Sequence, residues 1–474
     1  MMTDVEKLID RIIERVNVNL RETGFDAGIW ARSAVSMDRF TRFYAFYGIT
    51  LHHPLSFRFS RSALAGTYFL GQCDVDHSVL YKSDIRGDEL KSRGDLFPCE
   101  GRNIPVLKDE TIRIQDAFLI RTLVHNYSHD PENMEEFGIR NTIAMDYSNI
   151  HGSPVEGAFI APFATVDLTT IHDCIIGPFA YVQVGELEHA TVKAGMVWVK
   201  KEWDYDFSYR FDPGVLKRYL DVEPGQQHQG IFWDFFRERQ EDFKELYQVW
   251  KSELPVKEPE GAALSPYAVV KGESSLGKNV LVAQRAYLKN ARLGQGANAQ
   301  ENCYIIDSNL EGFNITAHGA KVVHANLGKM GFVGFNSFIR GSEEAPVSAG
   351  EGVIFMPHTI VDAGEPLDIP ANTIVWGYIS GPRDLTENSL PIEEFRKVKG
   401  YLSLGGLRFS GKGAAFVEAL EQRLRHILEA NGAFAGPGES LGHAQKSRDI
   451  SFNIIQPYPA GDERGIYPTI VIQP

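Results

Sequence analysis

The chain has few cysteines, no excess of basic residues and no long apolar segment, and each shortage excludes a class of protein. Its four cysteines are widely spaced and form no CxxC pair, which excludes a thiolate zinc knuckle and suits a reducing compartment. With 48 basic and 62 acidic residues, the net charge is −14, so the chain lacks the electrostatic footprint of a protein that binds nucleic acid or an anionic membrane. No segment reaches the roughly eighteen apolar residues of a membrane-spanning helix.

The amino-terminal segment MMTDVEKLIDRII is acidic early and lacks the basic region and the long apolar run of a secretory signal. We therefore expect a cytoplasmic protein. The hydrophobic share of 43% and the charged share of 23% are ordinary for a globular chain that buries a large core.

Both ends of the chain show helical periodicity. Thr3 and Glu6 form a capping-box signature, and apolar residues follow at helical spacing over 5–16, which predicts an amphipathic helix. A second pattern of the same period covers 416–428. The chain closes on a β-like segment, TIVIQP.

The composition changes between Lys201 and Val256. Asp212 and Pro213 favour the start of a helix. The apolar side chains that follow lie on one helical stripe: Phe232, Phe235, Phe236, Phe243, Leu246, Tyr247 and Trp250. The stripe suits packing against the rest of the protein or against a second subunit, and a ligand cradle is the alternative.

Three columns of similar, mostly apolar residues repeat every seventeen positions. They are Leu276, Leu293, Leu310 and Leu327; Val282, Ala299, Thr316 and Val333; and Leu288, Ile305, Val322 and Ile339. Such a unit, with small residues and no helical period, predicts three short strands and three turns, which make one coil of a parallel β-helix. A coil cannot bury its own interior face, so coils must stack and the ends need caps, for which the terminal helices are candidates.

The same pattern appears in IAPFATV and IIGPFAYV, so the chain carries two β-helical blocks. We predict a mainly β fold with helical segments, divided into a helical cap (1–55), a first block (56–200), a helical insertion (201–262), a second block (263–382) and a C-terminal helix and tail (383–474).

The units LGKNVLV, IAPFATV, IIGPFAYV and GFVGFNSFI resemble the hexapeptide repeat of left-handed β-helix proteins. This superfamily includes hexapeptide acyltransferases and γ-class carbonic anhydrases. The segments SDIRGDEL, IRIQDAFLI, LVHNYSHDPEN and NIHGSPVEGAFI are similar, in that order, to motifs of the γ-carbonic-anhydrase-like branch. The resemblance implies a left-handed β-helix, a homotrimer and a site that hydrates or hydrolyses a small molecule with the help of a metal.

Residue by residue, the resemblance implies an active-site arginine and aspartate at Arg86 and Asp88 and a glutamine at Gln115. It also implies zinc ligands at His125 and His151. The alternative for Arg86 and Asp88 is an ion pair across a turn, and histidines in such turns often bond only to neighbouring coils.

The first block differs from the family at the position of the third zinc ligand. The family has a histidine five residues before His151, and this chain has Asp146 there. Zinc, iron or cobalt needs three nitrogen or oxygen ligands and an open position for water, and Asp146 or His129 would complete such a set.

The second block departs further. Lys289 and Ala291 replace the arginine and aspartate, Ile306 replaces the first histidine, and His318 and His324 are six residues apart. We predict that this block has no metal-dependent activity.

Two alternative functions stay open. An acyltransferase that uses a coenzyme A thioester needs a histidine as general base, and His318 is the first candidate. A trimeric scaffold without activity would bind a protein partner through 201–256. A nucleotidyltransferase is excluded because the first 55 residues are too short and too helical for a nucleotide-binding domain.

Overall fold

The computed structural model describes residues 2–41, 43–53, 56–99, 101–126, 137–244, 258–436, 441–455 and 465–473. Its helices are α1 Asp4–Asn19, α2 Gly28–Ala31, α3 Pro213–Tyr219, α4 Ile231–Arg237, α5 Pro382–Glu387, α6 Ile392–Arg396, α7 Gly413–Asn431 and α8 His443–Ser447, with 3₁₀ turns at Arg21–Thr23 and Met37–Thr41. In this described part of the chain, no helix is long and apolar enough to cross a membrane.

The strands are short and follow one another closely. The first group is β1 Ala45–Ile49, β2 Phe57–Ser60, β3 Tyr68–Leu70, β4 Cys73–Asp76, β5 Val79–Tyr81, β6 Asp84–Arg86, β7 Leu96–Cys99, β8 Arg102–Pro105, β9 Ile112–Ile120, β10 Leu123–His125, β11 Gly138–Ala144, β12 Asn149–His151, β13 Val155–Glu156, β14 Phe159–Ile160, β15 Thr165–Asp167, β16 Thr169–His172, β17 Ile175–Ile176, β18 Tyr181–Gln183, β19 Gly185–Glu188, β20 Thr191–Val192, β21 Met196–Lys201 and β22 Tyr205–Arg210.

The second group is β23 Ala263–Leu264, β24 Val269–Lys271, β25 Ser275–Leu276, β26 Leu281–Val282, β27 Tyr287–Lys289, β28 Arg292–Leu293, β29 Asn298–Ala299, β30 Tyr304–Ile306, β31 Asn309–Leu310, β32 Ile315–Thr316, β33 Lys321–Val323, β34 Ala325–Leu327, β35 Phe332–Val333, β36 Phe338–Arg340, β37 Val347–Ala349, β38 Ile354–Phe355, β39 Ile360–Asp362, β40 Leu367–Ile369, β41 Thr373–Val375, β42 Tyr378–Ile379, β43 Ser389–Pro391, β44 Lys399–Leu404, β45 Leu407–Lys412, β46 Ser451–Ile455 and β47 Ile470–Ile472.

The chain forms two compact units, each made from separated segments. Unit 1 contains Met1–Met196, Leu220–Gln229 and Ile450–Pro474, and unit 2 contains Val197–Tyr219 and Gly230–Asp449. The predicted fold class is confirmed, since both units are built from parallel coils of a left-handed β-helix.

Unit 2 has the regular form of the fold. Its coils contribute one strand to each of three parallel sheets, which begin with β23, β24 and β25 and gain a strand with every coil. The predicted columns are in register: Leu276 lies opposite Leu293, Val282 opposite Ala299, and Leu288 opposite Ile305. These columns fill a buried apolar interior, which is the core of the unit.

Unit 1 follows the same plan with a shorter coil and longer excursions. Strands β3, β6, β10, β12, β15 and β18 lie side by side in parallel. Asn149, Thr165 and Tyr181 lie opposite one another at a spacing of sixteen residues. A hairpin of β7 and β8 leaves the helix between β6 and β9.

Helix α1 begins at the predicted capping box, where Thr3 and Glu6 bond to each other's backbone. We expected this helix to cap an end of the β-helix, but its apolar face does not cover an end. It packs in one cluster with side chains of β5, β9, β11 and β14, on the side of the coils. The edge beyond β1 is covered instead by β46, and the edge beyond β2 by β47, both antiparallel.

The predicted helical insertion also contains a strand. In β22, Tyr205, Phe207 and Tyr209 are buried in alternation with more exposed residues, a period of two that indicates a strand. The strand pairs with β45. The helix expected at Asp212 and Pro213 is present as α3.

The aromatic residues of α4 pack against the β-helix of their own unit. The Phe232 ring lies 5.4 Å from the Phe338 ring, and the Phe235 ring 5.1 Å from the Tyr304 ring. Leu246, Tyr247 and Trp250 lie outside the described residues. The described part of the stripe is therefore a packing surface.

Candidate functional site

A ladder of polar side chains crosses one sheet of unit 1. Arg86, His125, His151 and Asp167 are the last residues of four adjacent parallel strands, and each lies opposite the next. Because side chains alternate between the two faces of a strand, residues in one register column point to the same face. All four are buried.

His125 is held by carboxylates from the segment after β6. Its Nε2 lies 3.0 Å from Asp88 Oδ1 and 3.9 Å from Glu89 Oε1, and Asp88 also pairs with Arg86. Burial opposes protonation of the His125 ring, but the Asp88 carboxylate outweighs burial and raises the pKa of His125 above its ordinary value.

His151 belongs to a second hydrogen-bonded group. Its Nδ1 lies 2.8 Å from Asp167 Oδ1, and the Tyr181 hydroxyl donates to the other oxygen of Asp167. The same hydroxyl lies 3.0 Å from Gln183 Oε1. Since the carboxylate accepts from Nδ1, the lone pair of a neutral His151 is on Nε2, the geometry of a general base.

The two histidines are in direct contact. Their ring centroids are 4.9 Å apart, with an angle of 67° between the ring planes. The structure thus brings together Arg86, Asp88, His125 and His151 as the sequence predicted.

It does not bring the other first-block candidates to this ladder. Gln115 is exposed on β9, where it lies opposite Asp76 and Arg140 in a different sheet of the β-helix. Asp146 is buried in the turn before β12 and forms an ion pair with Arg121. His129 lies outside the described residues.

A second carboxylate–histidine pair lies within unit 2. His318 Nδ1 is 2.9 Å from Glu301 Oε2, and the His318 ring lies 5.4 Å from the Phe335 ring. The three residues occupy the same turn in successive coils, because Gly319 N–H bonds to the Glu301 carbonyl and Asn336 N–H bonds to the His318 carbonyl. Glu301 and His318 are almost fully buried.

The other second-block positions have different environments. Lys289 is exposed at the end of β27 and lies opposite Ile306, while Ala291 is buried in the apolar core. His324 is half-exposed, with Nε2 3.8 Å from Asp307 Oδ2. None of these arrangements resembles the ladder of unit 1.

Sequence reasoning missed the carboxylates that orient the histidines. Asp167 follows His151 by sixteen residues, and Glu301 precedes His318 by seventeen, which are the coil lengths of the two units. A search for a carboxylate one coil before or after each histidine would have found both.

Comparisons with known proteins point to one family. Residues 102–224 match the family described as hexapeptide repeat including loop. A crystal structure of a putative acetyltransferase from Desulfovibrio desulfuricans G20 is 51% identical, with a TM-score of 0.93 over 100% of both chains. The bifunctional protein GlmU of Stutzerimonas stutzeri (strain A1501) is 34% identical over 127 residues, 25% of this chain and 26% of that protein. The chain thus spans about a quarter of this curated relative.

Proposed function

Because the chain belongs to the hexapeptide-repeat superfamily of left-handed β-helix proteins, we propose that it is a coenzyme A-dependent acyltransferase. The observation that carries the proposal is the 51% identity over the whole chain to a protein described as a putative acetyltransferase. This function was the alternative in the sequence analysis. The closeness to γ-carbonic anhydrases, which the motifs of the first block suggested, gains no support from the comparisons.

His318 is the proposed general base. Glu301 Oε2 lies 2.9 Å from Nδ1, so its negative charge would stabilise the imidazolium that forms when Nε2 takes a proton from the hydroxyl or amine of an acceptor. The acceptor atom then attacks the thioester carbonyl, and the coenzyme A thiol leaves with the proton from His318. Phe335 packs beside the ring and contributes an apolar wall.

The test is acetyl transfer by purified protein, measured as release of the coenzyme A thiol from acetyl coenzyme A with D-glucose and D-glucosamine as acceptors. We expect His318→Ala to lower kcat by about 10²–10⁴-fold, the usual contribution of a general base, and to leave acetyl coenzyme A binding unchanged by calorimetry. His189→Ala, on an exposed side chain, is the control. Wild-type protein that neither binds acetyl coenzyme A nor releases thiol would contradict the proposal.

Metal-dependent hydration or hydrolysis is a second candidate, favoured by the contact of two buried histidines in unit 1. His125 and His151 would hold the ion, and zinc would supply a hydroxide near neutral pH. Asp146 pairs with Arg121, so a third ligand from the predicted set is not in place among the described residues. Metal analysis of freshly purified protein tests this candidate. Stoichiometric zinc, iron or cobalt that is lost in His151→Ala would support it.

We also propose that the chain forms a homotrimer, as the family resemblance implies. A single-chain mass in multi-angle light scattering would contradict it. The scaffold alternative predicts that the protein transfers no acetyl group. It also predicts that a protein partner binds to the full chain and no longer binds when residues 201–256 are deleted.

A further inference from the structure

One face of the unit 2 β-helix is polar on every coil. In the sheet that begins with β25, the outward side chains are exposed or partly exposed: Ser275, Arg292, Asn309, Asn326, Ser348 and Asp368. The sheet that begins with β23 packs instead on Ala444 of α8, and the sheet that begins with β24 packs on the aromatic rings of α4. The β25 sheet therefore presents a face that stays open to a polar ligand.

A groove of about 460 Å³ crosses the first coils of this face. Its volume falls within the range of small-molecule sites. Ser275, Arg292 and Asn309 line the groove from the sheet, and Glu311 and Lys329 line it from the corner that follows. Two successive coils have glycine at that corner, so no side chain closes the groove there. The groove is thus accessible, and its polar side chains come from several coils.

The two cations of the groove are available to an anion. Within the described part of the chain, neither Arg292 nor Lys329 forms an ion pair. Lys278, which occupies the same turn position as Lys329 three coils earlier, lies 2.6 Å from Glu260. A guanidinium binds phosphate through two parallel N–H donors, and an ammonium adds a second positive charge. The two charges match a phosphate monoester, which carries about −1.5 to −2 near neutral pH.

The other polar groups of the groove suit hydroxyls. The Ser275 hydroxyl and the Asn309 amide can each donate and accept hydrogen bonds, whereas the Glu311 carboxylate only accepts. That carboxylate would repel a second anionic group on the ligand. The part of the ligand beyond the phosphate should therefore be neutral and rich in hydroxyl groups.

From this arrangement we propose that the β25 face of unit 2 binds a phosphorylated polyol, a sugar phosphate being the simplest example, with its phosphate between Arg292 and Lys329. The groove lies away from the proposed base, because His318 is in the turn between β32 and β33, which belong to the other two sheets. The inference therefore goes beyond acyl transfer and does not depend on it. The ligand binds there without a chemical change.

Calorimetric titration of the full chain with D-glucose 6-phosphate, inorganic phosphate and D-glucose tests the proposal. We expect D-glucose 6-phosphate to bind with a Kd of about 1 mM or tighter, and D-glucose not to bind. Arg292→Ala and Lys329→Ala change exposed side chains, and each should weaken binding about tenfold or more because a charge-assisted hydrogen bond is lost. Asn309→Ala should weaken binding of D-glucose 6-phosphate and leave binding of inorganic phosphate unchanged.

Lys289→Ala is the matched control, since this exposed lysine lies at the end of β27 in a different sheet. If it weakens binding as much as Lys329→Ala does, binding follows the overall charge and the groove is overturned as the site. Wild-type protein that does not bind D-glucose 6-phosphate would overturn the proposal, as would unchanged affinity in Arg292→Ala/Lys329→Ala. If Arg292→Ala weakens binding of acetyl coenzyme A and not of D-glucose 6-phosphate, the cations belong to the acyl donor and this inference fails, while the proposed function stands.

Discussion

His151 and His318 each have a nearby carboxylate that comes from another part of the coil stack and not from their sequence neighbours. His151 is held by Asp167 one coil later, and His318 by Glu301 one coil earlier. A fixed carboxylate selects one tautomer and holds the ring in place before a substrate arrives. The residues that define the sites therefore depend on coil length as much as on local motifs.

Lys321 is the residue whose charge should affect stability most clearly. It is buried in β33, and its Nζ lies 5.2 Å from the centre of the Phe236 ring and 5.4 Å from that of Phe232. Burial lowers the pKa of Lys321 to about 7. In the unfolded chain a lysine has a pKa of about 10.4, so between these values the unfolded state binds more protons.

We therefore predict that the free energy of unfolding rises with pH by about 1.4 kcal/mol per unit between pH 7 and 10 from this residue alone. Lys321→Met should remove that dependence and stabilise the protein at pH 7 and below, where the cost of the buried charge is complete. Guanidinium unfolding at pH 7 and pH 9.5 measures both effects. The exposed Lys329→Met is the control, and an equal pH dependence in wild type and Lys321→Met would contradict the prediction.

The motifs of the first block predicted that His125 and His151 lie close together, and their rings are in contact in the structure. The role of His318 stays a prediction. The sequence was insufficient for Gln115 and Asp146. A motif gives the order of residues along the chain, but the face on which each one lies depends on where the strand bends. Asp116 adopts a φ of +48° inside β9, so the alternation on which a face assignment depends is interrupted beside Gln115.

Among the elements, the turns of unit 2 tolerate little change because successive coils stack closely. Several turns place asparagine in the left-handed region, as at Asn279, Asn302 and Asn336. At Gly294, a Cβ atom would lie 2.1 Å from the Glu311 carbonyl oxygen of the next coil. The glycine is needed there for space between coils.

Gly294→Ala should therefore destabilise the protein by about 1–3 kcal/mol, the usual cost of forcing an extra carbon into a packed site. Denaturant unfolding measures the effect. Gly364→Ala is the matched control, since the nearest atom to its Cβ would be 3.8 Å away, and a change within about 0.5 kcal/mol is expected there. Equal stability of the two variants would show that the coils can move apart at Gly294.

The regular elements were the most predictable part of the fold. The seventeen-residue columns of unit 2 lie in register as expected. Each apolar residue is buried only when it lies above the residue seventeen positions earlier, in the coil before it. The strands β22, β44 and β45 were missed, since they lie outside the repeat and their partners are distant in sequence.

At the scale of the whole molecule, unit 1 depends on residues from the end of the chain. All five residues of β46 lie opposite β1, from Ala45 with Ile455 to Ile49 with Ser451. Tyr467 is buried against the Phe59 ring at 5.3 Å, and β47 lies along β2. These antiparallel additions cover strand edges that would otherwise be open to pairing with another chain.

Removal of 450–474 should therefore destabilise unit 1 by at least about 3–5 kcal/mol, the cost of losing one large buried aromatic side chain, and promote aggregation. Thermal unfolding and light scattering measure the two effects. Asn453→Pro, which removes a backbone donor in the middle of β46, should show a smaller loss in the full-length chain, while Val471→Ala, with a half-exposed side chain, should show almost none. An unchanged melting temperature in the truncated protein would contradict the prediction.

The pairing of β46 with β1 also sets an order of events during synthesis. Residues 230–449 of unit 2 are synthesised before any residue of β46 or β47, so most coils of unit 2 can begin to fold while unit 1 still lacks its last two strands. Every nascent chain passes through a stage with the edges of β1 and β2 uncovered, and that stage lasts until translation reaches the final segment.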